Sequence, residues 1–386
     1  MKKFLELLAR TFRNSVAYPL LRLIFRNAPS DAPIDLNHVN RILIFRYDRI
    51  GDMIVTTPIL RILKRRNPNI RIDVLASRSN AEIVQLNPSV DNLRILETNW
   101  FGLIRQVGNL RKQRYDVVLN FIFNRTTGPG ILANLIAPHG YKVGQGPDRY
   151  ASYFNRLIKV RRFEQHMLES YVSMIEQTFG ISIDRHELTF EIGVAADSRR
   201  TVDEWLEKQL LRRSSQSKSP RFPYIVFNPS GKDVDRSLGI HQIEALVKSL
   251  VGASRFRLVV LASPGNVVMN EALRGKAEIH KFSLYETRSS RPLGELASLI
   301  EGAVLVISPD TSIVHFASAM QTPVLAIYAP MNASQEWLPH GVTYDVVMAR
   351  ENQRVSEIEP QVLIEGAVRF VARVLDEDVA IFPESK

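Results

Sequence analysis

Short apolar runs recur along the chain, and most are followed by a stretch whose apolar positions fall three and four residues apart. RILIFRY, residues 41 to 47, predicts a buried strand, and MIVTTPILRILKRR, 53 to 66, a helix after it. RIDVLAS (71 to 77), NAEIVQL (80 to 86) and YDVVLNFIF (115 to 123) continue as strand, helix and strand. LRRSSQSKSPRFP, 211 to 223, breaks the pattern: it is polar, basic and Pro-containing, which predicts a linker. Beyond it YIVFNPSG, IHQIEALVKSLV, RLVVLASPG, PLGELASLIEGA, VLVISPD, TSIVHFASAM and TPVLAIYAP again alternate strand and helix. Such alternation predicts α/β architecture with parallel sheets covered by helices. Two rounds of it predict two doubly wound, Rossmann-like domains facing each other, at 39–210 and 224–386. Ligands of such sheets bind beyond the carboxyl ends of the strands, so the cleft between the domains is the expected site.

Composition narrows the classes. At 386 residues, 45% apolar and 23% charged, the chain is long enough for two cores and too apolar for wholesale disorder. It has no cysteine, which removes disulfides, thiolate metal sites and cysteine nucleophiles, and fits a cytoplasmic address. The net charge of +10 is unevenly placed: residues 1 to 26 hold six basic residues and one acid. In that segment Phe4, Leu5, Leu8 and Phe12 share a helical face, and Pro19 kinks or splits the helix. No apolar stretch reaches transmembrane length, and charges interrupt any secretory-signal pattern. Residues 1–38 therefore read as a basic amphipathic extension. Its residues 2–26 either lie in the interface of an anionic membrane or pack on the protein's own surface or a second copy. Aromatic residues are not interleaved with the basic ones as single-strand binding requires, so nucleic acid is not an expected partner.

Three stretches carry candidate chemistry. In VLVISPDTSIVHFASAM, Asp310, Thr311 and Ser312 open a helix whose free N–H groups and dipole suit a phosphate. Asp310 repels phosphate, so it either caps that helix or accepts from a ribose hydroxyl. His315, one turn in, is either an oxyanion donor or a core histidine. FNPSGKDVDRS, 227 to 237, follows the first strand of the second half. There Ser230 and Gly231 allow close backbone approach, while Lys232 and Arg236 offer charge to a diphosphate. Its Asp233-Val234-Asp235 reads as a chance match to a metal-binding triplet. No G-x-G-x-x-G follows either first strand and no P-loop is present, which argues against dinucleotide oxidoreductases and P-loop NTPases. No histidine spacing suits a metal. In RYDRIGDMIVTTP, 46 to 58, Gly51 permits a tight turn at the strand exit, and Asp52 starts a helix, either as a general base aimed into the cleft or as a cap.

The pattern R-x-D-R-I-G-D-x-x-x-T-T-P, here Arg46 to Pro58, together with S-x-D-T-S-x-x-H, here Ser308 to His315, resembles the bacterial heptosyltransferases of glycosyltransferase family 9. ASAMQTPVLAIYAP is similar to a further stretch of that family, and the resemblance runs from about residue 41 to about 330. It implies a GT-B fold, with an N-terminal acceptor domain and a C-terminal nucleotide-sugar domain. It also implies inverting transfer of heptose from ADP-heptose to a lipopolysaccharide-core or lipid-linked acceptor, without cofactor or essential metal. Carried over, Asp52 is the general base, Asp310, Thr311 and His315 touch the diphosphate and ribose, and Arg236 is the basic residue of the donor loop; Ser230, Gly231, Lys232 and Ser312, read from the loop and helix start themselves, join them on the donor side. Arg49, Gly51, Thr56 and Thr57 are the acceptor-side candidates. The sequence departs from the family where Arg236 replaces the usual Lys and Leu238-Gly239 stands where Trp-Pro is usual. The expected place is peripheral, on the inner face of the cytoplasmic membrane. Alternatives are transfer from another nucleotide sugar and nucleotide-sugar epimerisation.

Overall fold

A computed structural model of the chain describes residues 24–25, 27–123, 126–209, 223–252, 256–263, 266–330 and 335–375. Nearly all of the basic segment 2–26 and of the stretch 211–223 lies outside the described residues. By contact the chain divides into two units, Met1–Leu188 and Thr189–Lys386.

The first unit alternates as the sequence predicts: β1 (Arg41–Arg46), α1 (Ile50–Arg66), β2 (Arg71–Ala76), α2 (Glu82–Gln85), β3 (Asn92–Ile95), α3 (Trp100–Arg111), β4 (Val117–Asn120), α4 (Thr127–Ile136), β5 (Tyr141–Gln145), β6 (Arg156–Ile158) and α5 (Met167–Phe179). Its six strands lie in the order β3-β2-β1-β4-β5-β6, every pair parallel. Because helices cover the sheet, β1 and β4 are apolar on both sides: Ile42, Leu43, Ile44 and Phe45 are buried without interruption, as are Val117, Val118 and Leu119. A reversal of strand order falls between β1 and β4, so the loops after these two strands diverge and leave a crevice at the carboxyl edge.

Helix α1 contains Pro58, whose missing N–H leaves the Ile54 carbonyl without its usual donor. The Thr57 hydroxyl donates to that carbonyl at 2.7 Å, and the helix continues through the proline.

The second unit repeats the plan with α6 (Ala196–Gln209), β7 (Tyr224–Phe227), α7 (Ile240–Gly252), β8 (Arg257–Leu261), α8 (Val267–His280), β9 (Ser283–Tyr285), α9 (Pro292–Glu301), β10 (Leu305–Pro309), α10 (Ser312–Ala319), β11 (Val324–Tyr328), β12 (Tyr344–Met348) and α11 (Pro360–Val374). The order β12-β11-β10-β7-β8-β9, again all parallel, is the arrangement of the first sheet, with its own reversal between β7 and β10. Helix α6 falls inside the predicted 39–210 domain, yet it packs on α9 of the second unit. The reason is apolar: the buried Trp205 meets Tyr285 edge to face at 4.8 Å. Among the described residues no helix is long and apolar enough to cross a membrane.

Candidate functional site

The loop after β1 carries the chemistry of the first unit. Arg46 ends the strand with its side chain fully buried, a placement that a guanidinium tolerates only with partners. Its Nε donates to Thr56 Oγ1 at 3.0 Å, and its Nη1 reaches Asp48 at 3.1 Å and Asp52 Oδ1 at 3.3 Å. The cation lies over the Tyr171 ring, 4.8 Å from its centroid, and Tyr171 stacks on Phe121 from the end of β4 at 5.1 Å. Among the described residues Nη2 has no hydrogen-bond acceptor.

The loop itself is pinned from β2. Asn80 Nδ2 donates to the Arg46 and Arg49 carbonyls, at 2.9 and 3.3 Å, while Asn80 Oδ1 accepts from the Ser77 N–H. This fixes the entry to α1, whose cap residue Arg49 gives no side-chain bond to the helix end. Gly51 lies within the first turn of α1 and outside the left-handed region, so it does not make the tight turn that the sequence suggested. Asp52 is the third residue of α1, where a carboxylate also meets the positive end of the helix dipole.

Asp52 is buried, with about a tenth of its side chain still exposed. Burial pushes its pKa up to about 6, the neighbouring Asp48 carboxylate adds to the rise, and Arg46 and Arg49 oppose it. A carboxyl poised there is ionised at neutral pH yet basic enough to accept a proton from a hydroxyl as it attacks. Thr56 and Thr57 are turned inward. Thr56 accepts from Arg46 and donates to the Asp52 carbonyl at 2.8 Å, and Thr57 serves Pro58, so both shape the turn that presents Asp52. Of the four residues assigned to the acceptor side, Arg49 alone is exposed.

In the second unit the loops after β7 and β10 meet at the second reversal. Asn228, at the exit of β7, is the hub: its Nδ2 donates to Ser308 Oγ at 2.9 Å, Thr311 Oγ1 at 3.2 Å and the Ser230 carbonyl at 2.9 Å, while its Oδ1 accepts from the Ser230 N–H. The Gly231 N–H donates to Ser237 Oγ, which closes the loop on itself. A Cβ at Gly231 would run into the Arg236 carbonyl, so only glycine fits beneath that residue.

Thr311, not Asp310, caps α10, accepting from the Ile313 N–H at 3.3 Å. Asp310 instead forms an ion pair with Arg236 at 3.0 Å. The cation of the loop is therefore committed to a carboxylate from the neighbouring strand end, and Lys232 stands exposed beside it. Ser312 is the half-buried first residue of α10. His315 is buried, edge-on to Phe190 at 6.3 Å and to Trp337 at 5.8 Å. Asp233 and Asp235 turn to different cations, Arg236 at 3.8 Å and Arg354 at 3.3 Å. Among the described residues no group of three or more His, Asp or Glu is placed to hold a metal ion.

Sequence reasoning missed Arg46, Asn80, Tyr171 and Asn228. Two of them carried a signal: Arg46 and Asn228 are polar residues at the last positions of apolar strand runs, where a side chain must find partners or a ligand. Asn80 and Tyr171 carried none, since their hold on the loop after β1 spans 31 or more residues.

Comparison with known proteins bears on the family and the fold. The family model described as glycosyltransferase family 9 (heptosyltransferase) matches residues 104–364. Lipopolysaccharide heptosyltransferase 3 of Escherichia coli K12 is 24% identical over 295 residues, covering 72% of this chain and 79% of that protein. A glycosyltransferase family 9 structure from Veillonella parvula superposes with a TM-score of 0.73 at 18% identity, covering 90% of this chain and all of that one. The structure of E. coli ADP-heptose lipopolysaccharide heptosyltransferase II gives 0.66 at 19% identity, covering 86% and 99%.

Proposed function

The chain belongs to glycosyltransferase family 9, and on that premise we propose that it transfers heptose, with inversion, from ADP-heptose to a lipopolysaccharide-core or lipid-linked acceptor, working at the inner face of the cytoplasmic membrane. The observation that carries the reading is Asp52, a buried carboxyl with its pKa near 6, held by Arg46 at the reversal of the first sheet. The acceptor oxygen attacks the anomeric carbon as the bond to the diphosphate oxygen breaks. The hydroxyl proton passes to Asp52, and ADP leaves. General-base help of this kind contributes about 10²- to 10⁴-fold.

The donor side of the reading rests on the second unit. The N–H groups at the start of α10 and the Lys232 ammonium are the donors for the diphosphate, and Gly231 keeps its loop compact beneath Arg236. Arg236 joins them when its pair with Asp310 opens or is shared with the ligand. Asp310 is left to accept from a ribose hydroxyl, and His315 lies deeper, behind the helix start. No metal or resident cofactor enters this mechanism. Residues 2–26 add attraction to anionic lipid.

The test follows donor consumption for ADP-, UDP- and GDP-sugars with and without acceptor. Turnover of ADP-heptose only when acceptor is present supports the reading. Turnover of another donor overturns the sugar assignment, and conversion without acceptor means an epimerase or hydrolase.

A further inference from the structure

The apolar stripe of helix α3 is wider than its contact with the core. Val107 and Leu110 pack into the core of the first unit, yet Trp100, Phe101 and Ile104 are 70%, 84% and 53% exposed. These three are not frayed ends. Asn99 caps the helix, its side chain accepting from the Gly102 N–H at 2.7 Å, so the aromatic pair is held on a formed first turn. Gly108 extends the free face: a Cβ added there meets nothing within 4 Å.

The charge along this helix is mainly basic. Arg105, Arg111, Lys112 and Arg114 are all exposed, against the two acids Glu97 and Asp116 that flank the stretch. Three apolar side chains fall short of the roughly 20 residues a side that a stable protein interface uses. Tryptophan and phenylalanine flanked by arginine and lysine instead suit the boundary between headgroups and acyl chains, where the rings enter and the cations stay with anionic headgroups. The position fits as well. In a parallel sheet all carboxyl ends lie at one edge, and Trp100 follows β3 as Asp52 follows β1, so the exposed turn of α3 lies at the same edge of the sheet as the base.

We infer that the first turn of α3 is a membrane-docking surface, which seats Trp100, Phe101 and Ile104 in an anionic lipid bilayer. It uses none of the residues of the basic segment 2–26, and it rests on the reading of the acceptor as membrane-borne.

Sedimentation of the full chain with phosphatidylglycerol-containing vesicles and with phosphatidylcholine vesicles tests it. The wild-type chain should partition onto the anionic vesicles, W100S/F101S should partition at least about tenfold less, and R105Q/K112Q should weaken binding in a salt-dependent way. Tryptophan emission should shift to the blue on anionic vesicles and stay put in W100F. Equal partition of wild type and W100S/F101S overturns the inference, as does a wild-type chain that ignores anionic lipid. So does a W100S/F101S variant that loses only self-association. Turnover on a delipidated acceptor, read in the same proteins, separates the two claims. Its absence in wild type sinks the proposed reaction, and its persistence in W100S/F101S beside lost vesicle binding supports docking.

Discussion

Arg46 Nη1 lies 3.3 Å from Asp52 Oδ1, so the carboxylate proposed as base is tethered to a guanidinium that has no contact with solvent. The tether opposes what burial and Asp48 do to Asp52, and the balance leaves the pKa near 6. Activity should therefore fall on the acid side with an apparent pKa near 6. D52N should lose about 10²- to 10⁴-fold in turnover and keep its affinity for ADP. A D52N enzyme with near-normal turnover would remove Asp52 from the mechanism.

Removing the tether shifts the balance in a known direction. In R46Q the charge that opposes the rise is gone, and with it the fork that reaches Asp48, Asp52 and Thr56 together, while burial and the like charge of Asp48 remain. The acid limb of the pH-rate profile should move up, by on the order of one unit. Thermal stability should drop as well. A profile that stays put while stability falls would reduce Arg46 to a packing residue.

The same raised pKa has a consequence for stability. Asp52 gives up its proton near 6 in the fold and near the ordinary 3.8 when unfolded, so between these values the folded chain binds more protons. Its contribution to stability therefore falls as pH rises from about 4 to about 6 and stays unfavourable above. D52N should raise the melting temperature at pH 7.5 relative to wild type, and the gain should vanish near pH 4. An Asn variant that is less stable than wild type at pH 7.5 would show that the Arg46 pairing outweighs burial.

These consequences were only partly legible in the sequence. The alternation of strand and helix gave both sheets, because central strands such as β1 and β10 are unbroken apolar runs. The edge strands β3, β6, β9 and β12 are three to five residues long and half exposed, so no run announces them. Helix α4 is not among the predicted elements, since two glycines and a proline fill its first turn; Gly130 lets the helix close on Tyr153. Helix α6 is amphipathic in sequence, but amphipathicity does not say which sheet it will cover. At the site, Asp52 could be found from its motif. The Arg236–Asp310 pair could not, since its members lie 74 residues apart.

That pair makes a distinct prediction. If Arg236 served phosphate alone, R236A and D310N would each affect ADP binding independently. Because the two are paired at 3.0 Å, R236A also leaves a carboxylate uncompensated beside the diphosphate. R236A should weaken ADP binding more than R236A/D310N does, with a coupling of roughly 0.5–3 kcal/mol by calorimetry. Additive losses would mean that the pair opens before the nucleotide binds.

Gly231 offers a test confined to the second unit. G231A forces a methyl against the Arg236 carbonyl, and the loop must move off Asn228 and Ser237 to relieve it. The expected cost is about 1–3 kcal/mol of stability, together with loss of ADP affinity. Unchanged ADP affinity in G231A would take this loop out of the donor site.

The Thr57–Pro58 step can be tested by restoring what the proline removed. T57V leaves the Ile54 carbonyl buried without a donor and should cost about 1–3 kcal/mol. P58A returns a backbone N–H to that carbonyl, so in a P58A background the Thr57 hydroxyl becomes dispensable and T57V should cost much less. The comparison also bears on function, because α1 presents Asp52 one turn earlier, where Thr56 grips the Asp52 carbonyl. If the proline sets the path of that turn, P58A should keep its stability and still lose turnover. If P58A keeps both while T57V remains costly in either background, Thr57 acts through packing and not by supplying the Ile54 carbonyl with a donor.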